Sequence, residues 1–455
     1  MEELTLYEII KAIDGSFGYP STEIVTSIST DTRKISNGSV FFALKGESFD
    51  GHDFVLKAIE LGAVAAVTEK AIDGARCIIV DSVRKALLDI AAYYRSRFSP
   101  VIVGVTGSVG KTTTKEMISL VLSSKLKTLK TAGNLNNEIG LPLTLLELNS
   151  EHEAAVIEMG MSGFGEISKL SMCAKPTIGV ITNIGYSHIQ NLGSREGILK
   201  AKLEILDGMP PDASIILNGD DDMLLSAKEA IGKNTIYYAM KNHGVDVFAS
   251  DVKIENSKTY FNINFWGKKL SAVLNCVGEH NVMNALAAFC VGITADIEAE
   301  KIIEAISQFI PEGLRQTIVR KGGQTVIIDC YNASPDSMKA SLAVLSELSP
   351  MPGGRRIAVL GDMLELGSMS DELHSKVGDY VFASKADILV CFGEASLHIK
   401  NSAEKSEKIS CHHFTDRKKA VDFLKSIIIK NDLLLFKASR AMKLETIIDA
   451  LYQDR

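Results

Sequence analysis

Residues 101–117 read VIVGVTGSVGKTTTKEM. A short apolar run is closed by glycines and followed at once by Lys-Thr-Thr and a helix-forming stretch. That order predicts a buried strand, a tight turn and a helix start. The spacing departs from the common G-x-x-x-x-G-K-[ST] phosphate loop, because Val105 stands five residues before Gly110, where that pattern has glycine. Gly107 and Gly110 free the backbone to turn and to approach a ligand without a Cβ in the way. The helix starting near Lys111, after Ser108 and Val109 in the loop, then presents unpaired N–H groups and its positive dipole end to an anion. Lys111 is placed to reach the β- and γ-phosphates, and the hydroxyl of Thr112 or Thr113 to hold Mg²⁺. Nucleotide binding follows from this stretch; the reaction does not.

The surrounding sequence repeats the strand-then-helix pattern, in EAAVIEMG, TIGVITNIG and ASIILNGDD. Apolar strands alternating with helices predict a parallel sheet covered on both faces. Residues 246–277 instead alternate at period two between turn residues, the pattern of an antiparallel meander at a sheet edge. A helix-rich segment follows. From about 313 come four further apolar runs, in QTVIIDCYNASP, RRIAVLGDMLELG, ADILVCFGE and NDLLLFKASR. The fold class is therefore α/β, with three domains: 1–98, 99–312 and 313–455. The central one is a phosphate-loop parallel-sheet domain.

Composition sets outer limits. A chain of 455 residues is too long for one ordinary core. Its net charge of −7 argues against a general nucleic-acid binder, while leaving room for a local basic pocket. The seven cysteines, at 77, 173, 276, 290, 330, 391 and 411, form no C-x-x-C pair and read as buried thiols in a reducing compartment. The acidic start MEELTLYEIIKAIDG has no signal-peptide apolar region, and no apolar run reaches the roughly 18 residues that span a bilayer. A cytoplasmic protein without a membrane span is expected.

Three further residues stand out, each with an ordinary alternative. Glu158 ends the strand AAVIEMG, at the edge where parallel sheets gather ligands; it is either a Mg²⁺ ligand or a strand-end glutamate in solvent. His188 follows the next strand, in ITNIGYSHI, and alone is a weak signal. Lys202, in LKAKLEIL, reads as a solvated helix face with Lys200 and Glu204.

Together these segments resemble the ATP-dependent Mur ligases of peptidoglycan synthesis. TGSVGKTTTKEM is similar to that family's shortened phosphate loop. EMG and TNIGYSHI resemble its two magnesium-coordinating positions, here Glu158 and His188. AKLEI resembles the segment whose lysine is often carbamoylated, which makes Lys202 the candidate. GEHNVMNALAA is similar to the adenine-contacting helix, through Asn281 and Asn284. GLRQ and IIDCYNASP resemble the hinge and C-terminal nucleotide contacts, Arg315 and Asp329.

Within the family the match is to the branch that adds D-alanyl-D-alanine. NLNNEIGLPLTLL, with Asn134, Asn136 and Asn137, looks like that branch's signature, and the Asp-Asn-Pro-Arg motif of the third-amino-acid-adding branch is absent. STDTRKISNGSVFFALKGESF resembles a domain that binds a UDP-sugar, through Ser29, Thr30, Asp31, Arg33, Lys45 and Gly46. The resemblance thus implies ATP, UDP-MurNAc-tripeptide and D-Ala-D-Ala as substrates. It further implies two Mg²⁺ sites drawn from Thr112, Glu158, His188 and Lys202. The C-terminal, Rossmann-like domain would bring Asn332, Ser334, Asp336 and Arg440 to the dipeptide and nucleotide. A monomer that closes its domains during the cycle is expected.

Two departures from the family pattern are local. Ala438 in KASR stands where glycine is usual, and Cys330 where serine is common. The nearest rival is the third-amino-acid-adding ligase; a folylpolyglutamate synthase is disfavoured by the UDP-domain segment. A GTPase switch would need an Asn-Lys-x-Asp motif after a strand, which the sequence lacks.

Overall fold

The computed structural model describes residues 1–46, 48–232 and 234–453. In chain order the strands used below are β1 (Ser27–Ser29), β2 (Ser39–Phe42), β3 (Ala63–Thr68), β4 (Cys77–Ile79), β5 (Val101–Thr106), β6 (Thr128–Lys130), β7 (Ala154–Glu158), β8 (Ile178–Ile181) and β9 (Ser214–Asn218). There follow β10 (Asn234–Ala239), β11 (Val247–Glu255), β12 (Lys258–Phe265), β13 (Lys268–Leu274), β14 (Thr317–Lys321), β15 (Gln324–Ile328), β16 (Arg356–Gly361), β17 (Ile388–Phe392), β18 (Ser410–Phe414) and β19 (Leu433–Lys437). Four helices matter most: α1 (Lys111–Ser123), α2 (Glu279–Thr294), α3 (Pro335–Glu347) and α4 (Ser370–Ala383).

The chain divides into two compact units. One comprises Met1–Thr106, Leu122–Val180 and Lys202–Ile215; the other Gly107–Val121, Ile181–Ala201 and Ile216–Arg455. In the first, β1-β2-β3-β4 form a parallel four-stranded sheet, packed through Phe41, Ala43, Val55, Ala58 and Ala66. A second set of strands has the order β8-β5-β7-β6. β7 is buried along its whole length, as a parallel strand covered on both faces must be, and its register sets Glu158 opposite Val105.

The second unit carries the antiparallel meander, β11 against β12 and β12 against β13. Its period-two pattern is met as expected. The β12–β13 hairpin turns on Trp266 and Gly267, both at positive φ, the geometry of a two-residue turn that follows the twist of the strands.

The C-terminal sheet has the order β14-β15-β19-β16-β17-β18, with β14 antiparallel to β15 and the other pairs parallel. Its core runs from Val326, Ile357, Val359 and Val390 through Leu434 and Phe436 to Ile447. α3 starts where the sequence allows: Ser334 caps it by accepting from the Ser337 N–H, and Pro335 sits at the first position, where its missing donor costs nothing. Ala438 needs no left-handed backbone, so it replaces glycine without strain. Burial pushes the Cys330 thiol up to about 12, which leaves it an inert core side chain.

One buried histidine fixes the loop after β16. His374, on α4, is fully buried; its Nε2 accepts from the Met363 N–H at 2.9 Å, and its Nδ1 donates to the Ser370 carbonyl at 2.7 Å. Burial holds its pKa below the usual imidazole range, so the ring is neutral. Protonating Nε2 would remove the acceptor for Met363. The unfolded chain binds this proton below about pH 6.5, whereas the folded chain resists it. The His374 contribution is therefore full above that pH and declines below it. Thermal unfolding between pH 7.5 and 5 is expected to show a fall that is smaller in His374→Gln.

Candidate functional site

The phosphate loop is built as its sequence predicts. β5 ends at Thr106, and Gly107 and Gly110 both lie at positive φ, 149° and 85°. Lys111 opens α1, and its Nζ folds back to donate to the Gly107 carbonyl at 2.7 Å. The first N–H groups of an α-helix lack partners within the helix and point outward, so loop and α1 together present positive charge to an anion.

The residues that hold this loop were only partly legible. Ser108 N donates to the Asn183 carbonyl at 3.1 Å, and Val109 N to Asn183 Oδ1 at 3.0 Å. The Val109 carbonyl accepts from Thr182 Oγ1 at 2.6 Å and from Asn183 Nδ2 at 3.0 Å. Ser108 Oγ accepts from the Gly185 N–H at 2.9 Å. The Thr-Asn pair at the end of β8 therefore braces the loop from behind, a role the segment TNIG carried without announcing. A Cβ added at Gly107 would fall inside the radius of Thr182 Oγ1. Gly107→Ala is accordingly expected to weaken binding of a non-hydrolysable ATP analogue by at least tenfold in calorimetry.

In the first unit, Glu158 is 2% exposed, which removes the solvent-facing alternative. Its Oε1 accepts from Asn136 Nδ2 at 2.8 Å, and its backbone N–H donates to Thr131 Oγ1 at 3.0 Å. Asn136 thus orients the carboxylate, while exposed Asn137 folds inward to cap Ile139 and Gly140, and Asn134 faces solvent. Lys202 is 1% exposed, so the solvated helix face expected from its neighbours is not what forms.

In the N-terminal sheet, Ser29 Oγ bonds both to the Asp31 carbonyl and to its N–H. The Arg33 guanidinium pairs with Asp31 at 2.7 Å and holds that carboxyl down at about 2. Thr30 lies between them, and Lys45 and Gly46 lie in the loop after β2, where the Lys45 backbone pairs with that of Asp50 in an isolated antiparallel bridge.

In the second unit, Thr112 and Thr113 lie half-buried in the first turn of α1. His188 takes a left-handed backbone at φ 64°, and its Nδ1 lies 2.6 Å from Glu365 Oε2. That pairing holds the Glu365 carboxyl below its usual range. Asp336, in the first turn of α3, accepts from the Tyr186 N–H at 3.3 Å. Arg315 stacks over Tyr331, its guanidinium carbon 3.7 Å from the ring centroid. Asp329 pairs with Lys437 at 2.7 Å and accepts from Ser341 Oγ at 2.5 Å. Burial pushes its carboxyl up, but the Lys437 ammonium more than offsets this and leaves it below the ordinary range. Lys437 also donates to the Asn332 carbonyl at 3.1 Å. Exposed Arg440 pairs with Glu445 at 2.6 Å. Asn281 and Asn284 are buried on α2, their amides directed inward.

A hard cation suits a buried carboxylate already oriented by an amide, which is what Glu158 offers in the first unit. Among the described residues no helix is long and apolar enough to cross a membrane.

Fold and site define an α/β protein with a central phosphate-loop domain between N-terminal and C-terminal domains. Models of the Mur ligases match along the chain: the Mur ligase family catalytic domain at residues 24–101, the Mur ligase middle domain at 105–292 and the Mur ligase glutamate ligase domain at 314–440. The UDP-N-acetylmuramoyl-tripeptide–D-alanyl-D-alanine ligase of Bacillus subtilis is 39% identical over 100% of this chain and 99% of its own. A MurF structure from Acinetobacter baumannii superposes with a TM-score of 0.92 at 32% identity, covering 100% of both chains. A MurF ligase from Thermotoga maritima, solved in complex with ADP, gives 0.85 at 30% identity over 94% of this chain and 98% of that one. The chain belongs to the Mur ligase family.

Proposed function

We infer that this chain is an ATP-dependent ligase that joins D-alanyl-D-alanine to UDP-MurNAc-tripeptide, yielding UDP-MurNAc-pentapeptide, ADP and phosphate in peptidoglycan synthesis. The observation that carries this is end-to-end similarity to ligases so named, at 39% identity for the Bacillus subtilis relative.

A free carboxylate is a poor acyl donor, because its leaving group would be oxide. In this reading the terminal carboxylate oxygen of the tripeptide attacks the γ-phosphorus of ATP. The bond from that phosphorus to the bridging oxygen breaks, releasing ADP and leaving an acyl-phosphate. The amine of D-Ala-D-Ala then attacks the acyl carbon, loses a proton, and phosphate departs from the tetrahedral intermediate. No protein nucleophile is needed. The first step brings two anions together, so positive charge must be fixed in place beforehand. Lys111 and the helix start at Gly110, Thr112 and Thr113 supply it, in a loop shaped by Gly107, Ser108 and Val109, with Asn281 and Asn284 on the adenine side and Arg315 and Asp329 at the C-terminal side.

Thr112 and Glu158 would hold one Mg²⁺, and His188 with a carbamoylated Lys202 a second. Bound there, the metal supplies Lewis-acid charge to the phosphoryl oxygens. Carbamoylation would convert a buried cation into an anionic oxygen donor, which is consistent with the burial of Lys202. Ser29, Thr30, Asp31, Arg33, Lys45 and Gly46 take the uridine nucleotide. Asn134, Asn136, Asn137, Asn332, Ser334, Asp336 and Arg440 take the peptide substrates. The division at 98/99 and 312/313 and a cytoplasmic, monomeric enzyme complete the reading.

The test is phosphate release with ATP and UDP-MurNAc-tripeptide, with and without D-Ala-D-Ala. Release that requires the dipeptide supports the assignment. Release that ignores it and responds to a single diamino acid would transfer the chain to the third-amino-acid-adding branch.

A further inference from the structure

Gln316 stands at the junction where the C-terminal sheet begins, at φ 52°, a left-handed backbone that a non-glycine residue adopts only at a cost. It is 8% exposed, and its side-chain amide is fully engaged. Nε2 donates to the Val277 carbonyl at 2.6 Å; Oε1 accepts from His280 Nε2 at 2.7 Å and from Asn281 Nδ2 at 2.9 Å. The orientation is unambiguous, since a carbonyl only accepts and the Asn281 amide nitrogen only donates.

The chain of amides continues. Asn281 Nδ2 also donates to the Val277 carbonyl, at 2.9 Å, and Asn281 Oδ1 meets Asn284 Nδ2 at 3.5 Å. Asn284 Oδ1 accepts from Thr114 Oγ1 at 3.0 Å. The same oxygen lies 2.7 Å from where a Cβ would stand on Gly110, so it fills the space beneath the phosphate loop. With its amide nitrogen donating to Val277 and Gln316 and its oxygen facing Asn284, Asn281 links Gln316 to the residue beneath the loop.

We propose that Gln316 is a positioning residue for the nucleotide: it fixes Asn281, and through it Asn284, so that Gly110 and the first turn of α1 are held in their phosphate-binding conformation. ATP affinity then depends on a side chain that does not touch ATP. This rests on the ATP-dependent reading above. An apolar residue of similar size would fill the same volume but would take one of its two donors from the Val277 carbonyl and the shared acceptor from His280 and Asn281, letting the amide series shift.

The test is a double-mutant cycle on the full chain, with Gln316→Met and Thr114→Val, which breaks the far end of the series. Affinity for a non-hydrolysable ATP analogue is measured by calorimetry, with KM values from phosphate release. Each single change is expected to weaken the analogue about tenfold. The double variant should be little weaker than either, because both break one series. KM for ATP should rise with kcat and the dipeptide KM within twofold of the unchanged chain. Multiplicative losses, or a lowered melting temperature at unchanged affinity, would overturn the proposal. Should Gln316→Met fail to fold, Gln316→Glu keeps both acceptor contacts and loses the donor to Val277; it should weaken the analogue about threefold, and unchanged affinity would again overturn the idea. An unchanged chain that binds no ATP analogue would instead sink the ligase reading, and this inference with it.

Discussion

Lys111→Ala is expected to lower kcat/KM by about 10³-fold while leaving the far-UV circular dichroism and melting temperature near those of the unchanged chain. The size follows from what the ammonium is asked to do. Removing one preorganised donor from a site where charge develops costs about 10²–10³ in rate, and here the donor also neutralises the repulsion between two reacting anions. The fold is spared because Lys111 is half-buried at a helix start, where its Nζ reaches to the Gly107 and Ser108 carbonyls. Steady-state phosphate release with all three substrates checks the prediction. A variant that keeps more than a tenth of the activity would show that the positive charge at the loop comes mainly from the backbone.

Asp329→Ala should destabilise the C-terminal sheet by about 3–5 kcal/mol, the range for removing one partner of a buried ion pair. The reason is the state of Lys437, 3% exposed at its side chain, which would be left as a buried cation. The opposite change, Lys437→Met, should cost less, because Asp329, at 17% side-chain exposure, is nearer water and keeps the Ser341 hydroxyl as a donor. Denaturant unfolding followed by a probe in this sheet would measure both, and equal losses would contradict the argument. The pH dependence has a definite sign. The folded carboxyl lies below its unfolded value, so its contribution is complete above about pH 4 and is lost as the pH falls further.

How far the sequence reached can be judged from particular residues. The phosphate loop was legible because strand, glycines, Lys-Thr-Thr and helix are contiguous, and local chemistry dictates local shape. The meander of β11, β12 and β13 was legible for the same reason, its pattern being written in every second residue. Lys202 is not legible from its charged neighbours: Lys200 and Glu204 suggest a solvated face, the resemblance alone marks the residue as a site candidate, and its side chain is buried. Glu365 went unnoticed although it pairs with His188, which lies 177 positions earlier. Thr182 and Asn183 were quoted only as the approach to that histidine, and Gln316 only as the end of GLRQ.

The sequence by itself determined the class of fold, the loop that meets phosphate and the strand-end carboxylate, because periodicity and turn chemistry act between near neighbours. Only the tertiary structure decided that Asn284 lies beneath Gly110, that Asp329 answers Lys437 and that Gln316 binds Val277, His280 and Asn281. A buried polar group must find a partner, but its own surroundings in the chain do not say which; that choice is made when distant segments pack.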